Sequence, residues 1–145
     1  MANQVNVNFN NEFEGELIAP RGKAEIGSTE GTLAPYDMLL GGLASCVHAT
    51  FLSICYKKKV AYETITYDIE GIKRDEVPAT LKDVYVKVTI TGSEDEKKTT
   101  SSMNLAVKYC SIYQTLSKVL LLIKFPFLQG VEYQMISLIR LLNTV

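Results

Sequence analysis

The chain has 145 residues, a formal net charge of −1 and 47% hydrophobic residues. This length is typical of one domain, so we expect a single domain over residues 1–145, and the balanced charge offers no basic surface to nucleic acid. The first residues carry neither a basic segment nor an apolar one, which argues against a signal peptide and makes the cytoplasm the expected location.

Residues 1–34 are predicted to form N-terminal strands. From Gln4 to Ile26, apolar and polar residues alternate with the period of a strand, and a Pro-Arg-Gly turn that contains Arg21 separates two short strands. The segment 27–34 is rich in turn residues and predicts a loop.

A long apolar helix is predicted to begin at Pro35, because proline lacks the N–H that a first helical residue leaves unused. It runs without a breaker to three lysines, and Asp37 in its first turn suits the positive end of the helix dipole. The length could suit a membrane span. Four polar residues within it, Ser45, His48, Thr50 and Ser53, instead favour a core helix, so we expect no membrane partner.

Two strands and two helices follow. Residues 62–74 and 81–91 alternate as strands, and Ser93 with Glu96 predicts a capping box that starts a second helix. This helix is expected to break near Cys110 and to restart as a short one. The predicted fold is α+β, with mostly antiparallel sheets around a central helix. The apolar tail, 120–145, is predicted to form a closing strand and then a helix.

The chain has three cysteines, which are the candidates for reactive residues: Cys46, Cys55 and Cys110. An odd number without a CxxC pair predicts neither a disulfide framework nor a metal site. A reactive cysteine needs a lowered pKa, and Cys46 lies in the middle of its helix, where the dipole helps little. Its activation would then need a cation, for which Arg21 is the first candidate and Arg74 the second.

The two other groups nearby are predicted to play no part. Cys55 lies nine positions after Cys46 and faces another side of the helix, as expected of an inert core residue. His48 is only two positions from Cys46, so a Cys–His dyad is not expected on one helix, and a satisfied core or interface histidine is the interpretation.

Two segments resemble motifs of the OsmC/Ohr-like family. PYDMLLGGLASC is similar to the family's proline-to-cysteine segment on its long helix, and AVKYCSIYQTLSKV is similar to its second cysteine segment, with two strands between them. The resemblance extends roughly from Phe13 to Val119, with its core in 35–119. It implies an intertwined homodimer with active sites at the subunit interface.

The resemblance also implies an activity, that of a cysteine-based antioxidant enzyme against oxidative stress. Peroxidase members of the family reduce organic hydroperoxides, so Cys46 would be the peroxidatic residue and Cys110 the resolving one. An arginine and a carboxylate, here Arg21 and Asp37, would assist Cys46. A dithiol reductant, such as a lipoyl group, would restore the thiols, and no cofactor or metal is implied.

The chain departs from the family pattern at three places. Tyr36 stands where peroxidase members have a glutamate, so Asp37 would have to replace that carboxylate. Ser111 stands where the family usually has proline. The tail after residue 119 is unusually apolar, which suits either an oligomer surface or an altered reading frame.

Two alternatives to a peroxidase remain open. The first is a binding module on the same scaffold, in which the apolar helix and Gly41-Gly42 line a pocket for a small apolar ligand at the dimer interface. The second is a dimeric structural protein whose cysteines are inert core residues.

Overall fold

The computed structural model describes residues 3–118, 122–124 and 127–129. The chain divides into two compact units, Met1–Gly41 and Gly42–Val145. The helix predicted for YQMISLIRLLNTV lies outside the described residues, so it stays a prediction.

The first unit contains a three-stranded antiparallel sheet in the order β1-β2-β3. Its strands are β1 (Asn6–Phe9), β2 (Gly15–Ala19) and β3 (Gly22–Ile26). Pro20 and Arg21 form the two-residue turn between β2 and β3, as the Pro-Arg-Gly pattern predicted. Gly15 is required where β2 approaches β1, because a Cβ there would overlap the backbone oxygen of Asn8.

The long helix α1 (Pro35–Lys58) begins at the predicted proline. Its buried side chains recur every fourth residue and form one stripe: Leu43, Val47, Phe51 and Cys55. In length and apolar composition α1 could also cross a membrane. Core helices of soluble proteins meet the same requirement, so length and composition do not distinguish the two.

The second unit is built on a long antiparallel pair, β4 (Thr64–Lys73) and β5 (Leu81–Thr91). Val84, Val86, Val88 and Ile90 point to one face of β5 and are fully buried, as their alternation predicted. Two short strands, β6 (Leu122–Lys124) and β7 (Phe127–Gln129), each pair with β5 in parallel. A closing strand was therefore correctly expected in this part of the tail.

The helices α2 (Glu96–Tyr109) and α3 (Ser111–Leu116) follow β5. The predicted break near Cys110 is confirmed, but the predicted capping box is wrong. Asp95 is the N-cap of α2, and its carboxylate accepts from the N–H of Lys98 at 2.9 Å. The Ser93 hydroxyl instead bonds the Thr99 hydroxyl at 2.6 Å, because the helix begins two residues too late for Ser93 to cap it.

Side chains of α1 contact the other elements of the second unit. His48 reaches β4 at Tyr67, and Lys58 donates to the Ser101 hydroxyl of α2 at 3.2 Å. Cys46 contacts the first residue of α3. The architecture is α+β with mostly antiparallel sheets and one long helix, as predicted.

Candidate active site

Cys110 is the single residue that joins α2 to α3. Its backbone is extended, with φ −68° and ψ 118°, and its N–H donates to the carbonyl of Ala106 at 2.8 Å to close α2. Its Sγ accepts from the N–H of Tyr113 at 3.4 Å and so caps the start of α3. Because both bonds hold the residue, the buried thiol has a defined position.

Cys46 comes to this junction from the middle of α1. Its half-buried Sγ lies 3.7 Å from the hydroxyl oxygen of Ser111, which is 65 residues later in the chain. The thiol of Cys110, the residue before Ser111, is near enough to act as a hydrogen-bond donor that lowers the pKa of Cys46. The structure therefore brings together the two cysteines that the sequence singled out, with Ser111 beside them.

Hydrogen bonds at this junction favour the ionised form of Cys46. Burial acts to raise the pKa of Cys46, but donors from Cys110 and the start of α3 outweigh it, and the pKa lies below the ordinary value of 9.0. The donors are the Cys110 thiol, the N–H of Ile112, and the hydroxyl and N–H of Ser111. Cys46 therefore ionises more readily than an ordinary thiol, and the thiolate is the nucleophilic form.

The second thiol is shifted in the opposite direction. Burial raises the pKa of Cys110 to about 11, and the hydrogen bond to Cys46 and the charge of its thiolate add to that rise. The backbone N–H groups of Tyr113 and Ile112 oppose it. Cys46 is thus the member of the pair that ionises first, and Cys110, which stays protonated to higher pH, is the donor to the thiolate.

The donors of Ser111 and Ile112 on α3 were not predicted from the sequence. A cation was expected because Cys46 lies in the middle of its own helix, yet Cys110 and the first turn of α3 lower its pKa. The predicted restart of the helix at Ser111 was the available signal, because the first N–H groups of a helix have no partner within it.

The predicted assisting residues, Arg21 and Asp37, belong to the first unit. Arg21 is exposed in the turn between β2 and β3. The Asp37 carboxylate accepts from the N–H of Ala34 at 2.8 Å, which caps the start of α1. Arg74, the second candidate cation, pairs with Glu76 at 3.5 Å in the second unit. The catalytic roles of Arg21 and Asp37 stay predictions.

Cys55 and His48 have the environments expected of core residues. Cys55 is 3% exposed, and burial raises its pKa against the opposing charge of Lys58. His48 shares a 3.2 Å hydrogen bond with the Tyr67 hydroxyl, and burial lowers its pKa. The described residues contain no cluster of His, Cys, Asp or Glu that could hold a metal ion.

Solved structures with the same fold come from several bacteria. A hypothetical protein of Aquifex aeolicus VF5 is 22% identical, with a TM-score of 0.77 over 90% of this chain and 99% of its own. An OsmC-like protein of Mycoplasma pneumoniae is 18% identical, with a TM-score of 0.80 over 89% and 97%. The organic hydroperoxide resistance protein OhrB of Bacillus subtilis is 17% identical, with a TM-score of 0.64 over 88% and 98%.

A search of curated proteins found no significant match. The comparison with family models agrees with the solved structures: the model described as OsmC-like protein matches residues 27–121, which include Cys46 and Cys110. The chain therefore belongs to the OsmC-like family.

Proposed function

We propose that this protein is a thiol-dependent peroxidase that reduces organic hydroperoxides, with Cys46 as the peroxidatic and Cys110 as the resolving cysteine. The observation that carries the proposal is the 3.7 Å contact of the Cys46 Sγ with Ser111, the residue next to Cys110. The two thiols interact there, so that the pKa of Cys46 is lowered and that of Cys110 is raised. A peroxidatic cysteine needs a low pKa, some access for the substrate and a resolving thiol nearby. Three observations support this role for Cys46: it is half-buried, its pKa is lowered, and Cys110 is near it.

The first step would oxidise Cys46. Its thiolate attacks the terminal oxygen of the hydroperoxide, and the S–O bond forms as the O–O bond breaks. The departing alkoxide takes up a proton and leaves as an alcohol, while Cys46 becomes a sulfenic acid.

The second step would join the two cysteines. Two causes of the raised Cys110 pKa, its hydrogen bond to the Cys46 thiolate and the charge of that thiolate, vanish once Cys46 is a neutral sulfenic acid. Cys110 then ionises more easily and attacks the sulfenic sulfur, so that the S–S bond forms and hydroxide leaves to become water. In the cytoplasm, a dithiol, for example of the lipoyl type, would then reduce the Cys46–Cys110 disulfide to two thiols.

The proposal includes a homodimer and two assisting residues. Leu52 and Tyr56 on α1 are 46% and 88% exposed, and apolar side chains so placed suit a face covered by a second copy.

Arg21 would stabilise the charge that develops on the peroxide, and Asp37 would orient that guanidinium, because fixed charges at a reacting centre lower the barrier.

The test is the product of reaction with cumene hydroperoxide. We expect mass spectrometry of the reduced protein after treatment to find a Cys46–Cys110 disulfide. In Cys110→Ser, dimedone should trap the sulfenic acid on Cys46, and Cys46→Ser should not consume peroxide. The matched control is Cys55→Ser, which should react as the unaltered protein does. Free thiols at both positions after treatment would refute the proposal.

A second candidate function is supported by a separate cavity. A cavity of about 250 Å³ is lined by Ala44, Ser45, His48, Ile65 and Tyr67. It lies about one turn after Gly41-Gly42 on α1 and is slightly smaller than typical ligand sites of about 300–1,000 Å³. Such a cavity would suit a small, mainly apolar ligand.

Binding of a fluorescent fatty acid tests this second function. If the protein is a binding module, Cys46→Ser should keep the full affinity and Ala44→Phe, which fills the cavity, should lose it. Equal affinity of Ala44→Phe and the unaltered protein would exclude this cavity as the binding site.

A further inference from the structure

We propose that Ser111 is a catalytic residue whose hydroxyl donates a hydrogen bond to the Cys46 thiolate and sets its reactivity. This inference rests on the proposed function, in which that thiolate is the nucleophile. It concerns a residue that neither the sequence reasoning nor the family comparison assigns to the reaction.

The contact is direct and its direction follows from the charge. The Ser111 Oγ lies 3.7 Å from the Cys46 Sγ, within the range for a hydrogen bond to sulfur. Either atom could donate while Cys46 is protonated. Once Cys46 is ionised its sulfur has no hydrogen, so the hydroxyl must be the donor. The bond is then charge-assisted and stronger than a neutral one.

The position of Ser111 is fixed by its neighbours. It is the first residue of α3 and follows Cys110, whose N–H donates to the Ala106 carbonyl and whose Sγ accepts from the N–H of Tyr113. The Ser111 carbonyl also accepts from the Thr115 hydroxyl at 2.9 Å. The hydroxyl therefore meets the sulfur from a restrained backbone.

A donor to the thiolate has two opposing effects on the rate. It lowers the pKa of Cys46 and so increases the ionised fraction at neutral pH, in agreement with the hydrogen bond from Ser111 that contributes to the lowered pKa. It also makes each thiolate a weaker nucleophile, because nucleophilicity falls with pKa by a Brønsted coefficient of about 0.4–0.5. Removal of the hydroxyl should therefore change the two arms of a pH–rate profile in opposite directions.

Alkylation of Cys46 by iodoacetamide, followed from pH 5 to pH 10 in a Cys55→Ser background, measures both effects. For Ser111→Ala we expect the pKa of Cys46 to rise by about 0.7, less than for a charge-assisted bond of ideal length, because this contact is long at 3.7 Å. The rate constant should then fall by about twofold below the pKa and rise by about twofold on the alkaline plateau. The two profiles should cross.

Two further variants complete the design. Ser111→Thr keeps the hydroxyl at an exposed position and should restore the original profile. Ser117→Ala removes a hydroxyl of the same region that bonds the Gln114 carbonyl, and its profile should be unchanged. If the alkylation rate constant of Ser111→Ala is lower by the same factor at all pH values, the role of Ser111 is structural only. An unchanged profile would mean that its hydroxyl makes no bond to the thiolate. Either result overturns the inference.

The assay separates this inference from the proposed function, because iodoacetamide needs no peroxidase activity. Crossed profiles in a protein that does not reduce hydroperoxides would leave the role of Ser111 intact and refute the peroxidase. The converse result, peroxide reduction with superimposed profiles, would refute only the role of Ser111.

Discussion

Alkaline pH should destabilise the fold through Cys110. The pKa of this thiol is raised from 9.0 to about 11 in the folded protein, mainly by burial. Between these two values the unfolded chain holds fewer protons than the folded one, so the free energy of unfolding falls as pH rises. The stabilisation is fully present below pH 9 and is lost as pH passes through the folded pKa. Cys46 has the opposite sign, because its lowered pKa contributes stability that is lost at lower pH.

The magnitude follows from the size of the shift. Two pH units correspond to about 2.7 kcal/mol, and screening by water at the half-exposed partner Cys46 reduces this to about 1–2 kcal/mol. Burial also raises the pKa values of three tyrosines, Tyr62, Tyr67 and Tyr113, so their contributions to stability also fall at alkaline pH. These contributions cancel in a comparison with Cys110→Ser, because the variant keeps the tyrosines and a side-chain cap for α3.

Urea unfolding under reducing conditions at pH 8, 9, 10 and 11 is the assay. The stability difference between the unaltered protein and Cys110→Ser should shrink by about 1–2 kcal/mol from pH 8 to pH 11. Parallel stability curves over this range would mean that Cys110 titrates alike in the folded and unfolded states, and would refute the environment inferred for the thiol pair.

Three further variants test the surroundings of the site. Asp95→Ala removes the cap of α2 and should cost about 1 kcal/mol in urea unfolding, while Asp95→Asn, which still accepts from Lys98, should stay close to the unaltered protein. Phe51→Ala empties a fully buried position and should cost about 3–5 kcal/mol, and a loss below 1 kcal/mol would contradict its place in the core. Burial lowers the pKa of His48, so its neutral form contributes stability above the ordinary value of 6.5 that is lost as pH falls. The thermal midpoint should accordingly drop less between pH 7 and pH 5 in His48→Gln, and an equal drop in both proteins would argue against this burial.

Local pattern was sufficient for most of the elements. The alternation in 81–91 predicted β5 and its buried face, because side chains of a strand point alternately to its two sides. Pro35 correctly marked the start of α1, since it needs no N–H partner there. The start of α2 was placed wrongly because Ser93 and Asp95 are both good caps, and only the folded loop decides which side chain reaches a free N–H.

The sequence by itself supplied the candidates: residue type and helical position predicted Cys55 to be an inert core residue, and the resemblance to the family motifs singled out Cys46 and Cys110. Only the tertiary structure decided what surrounds them. The donors to Cys46 are Cys110 and the first residues of α3, more than 60 residues away in the chain, where Ser111 contributes both its hydroxyl and its N–H. No local pattern on α1 can report them, because a hydrogen bond depends on distance in space and direction, which follow from the packing of the helices.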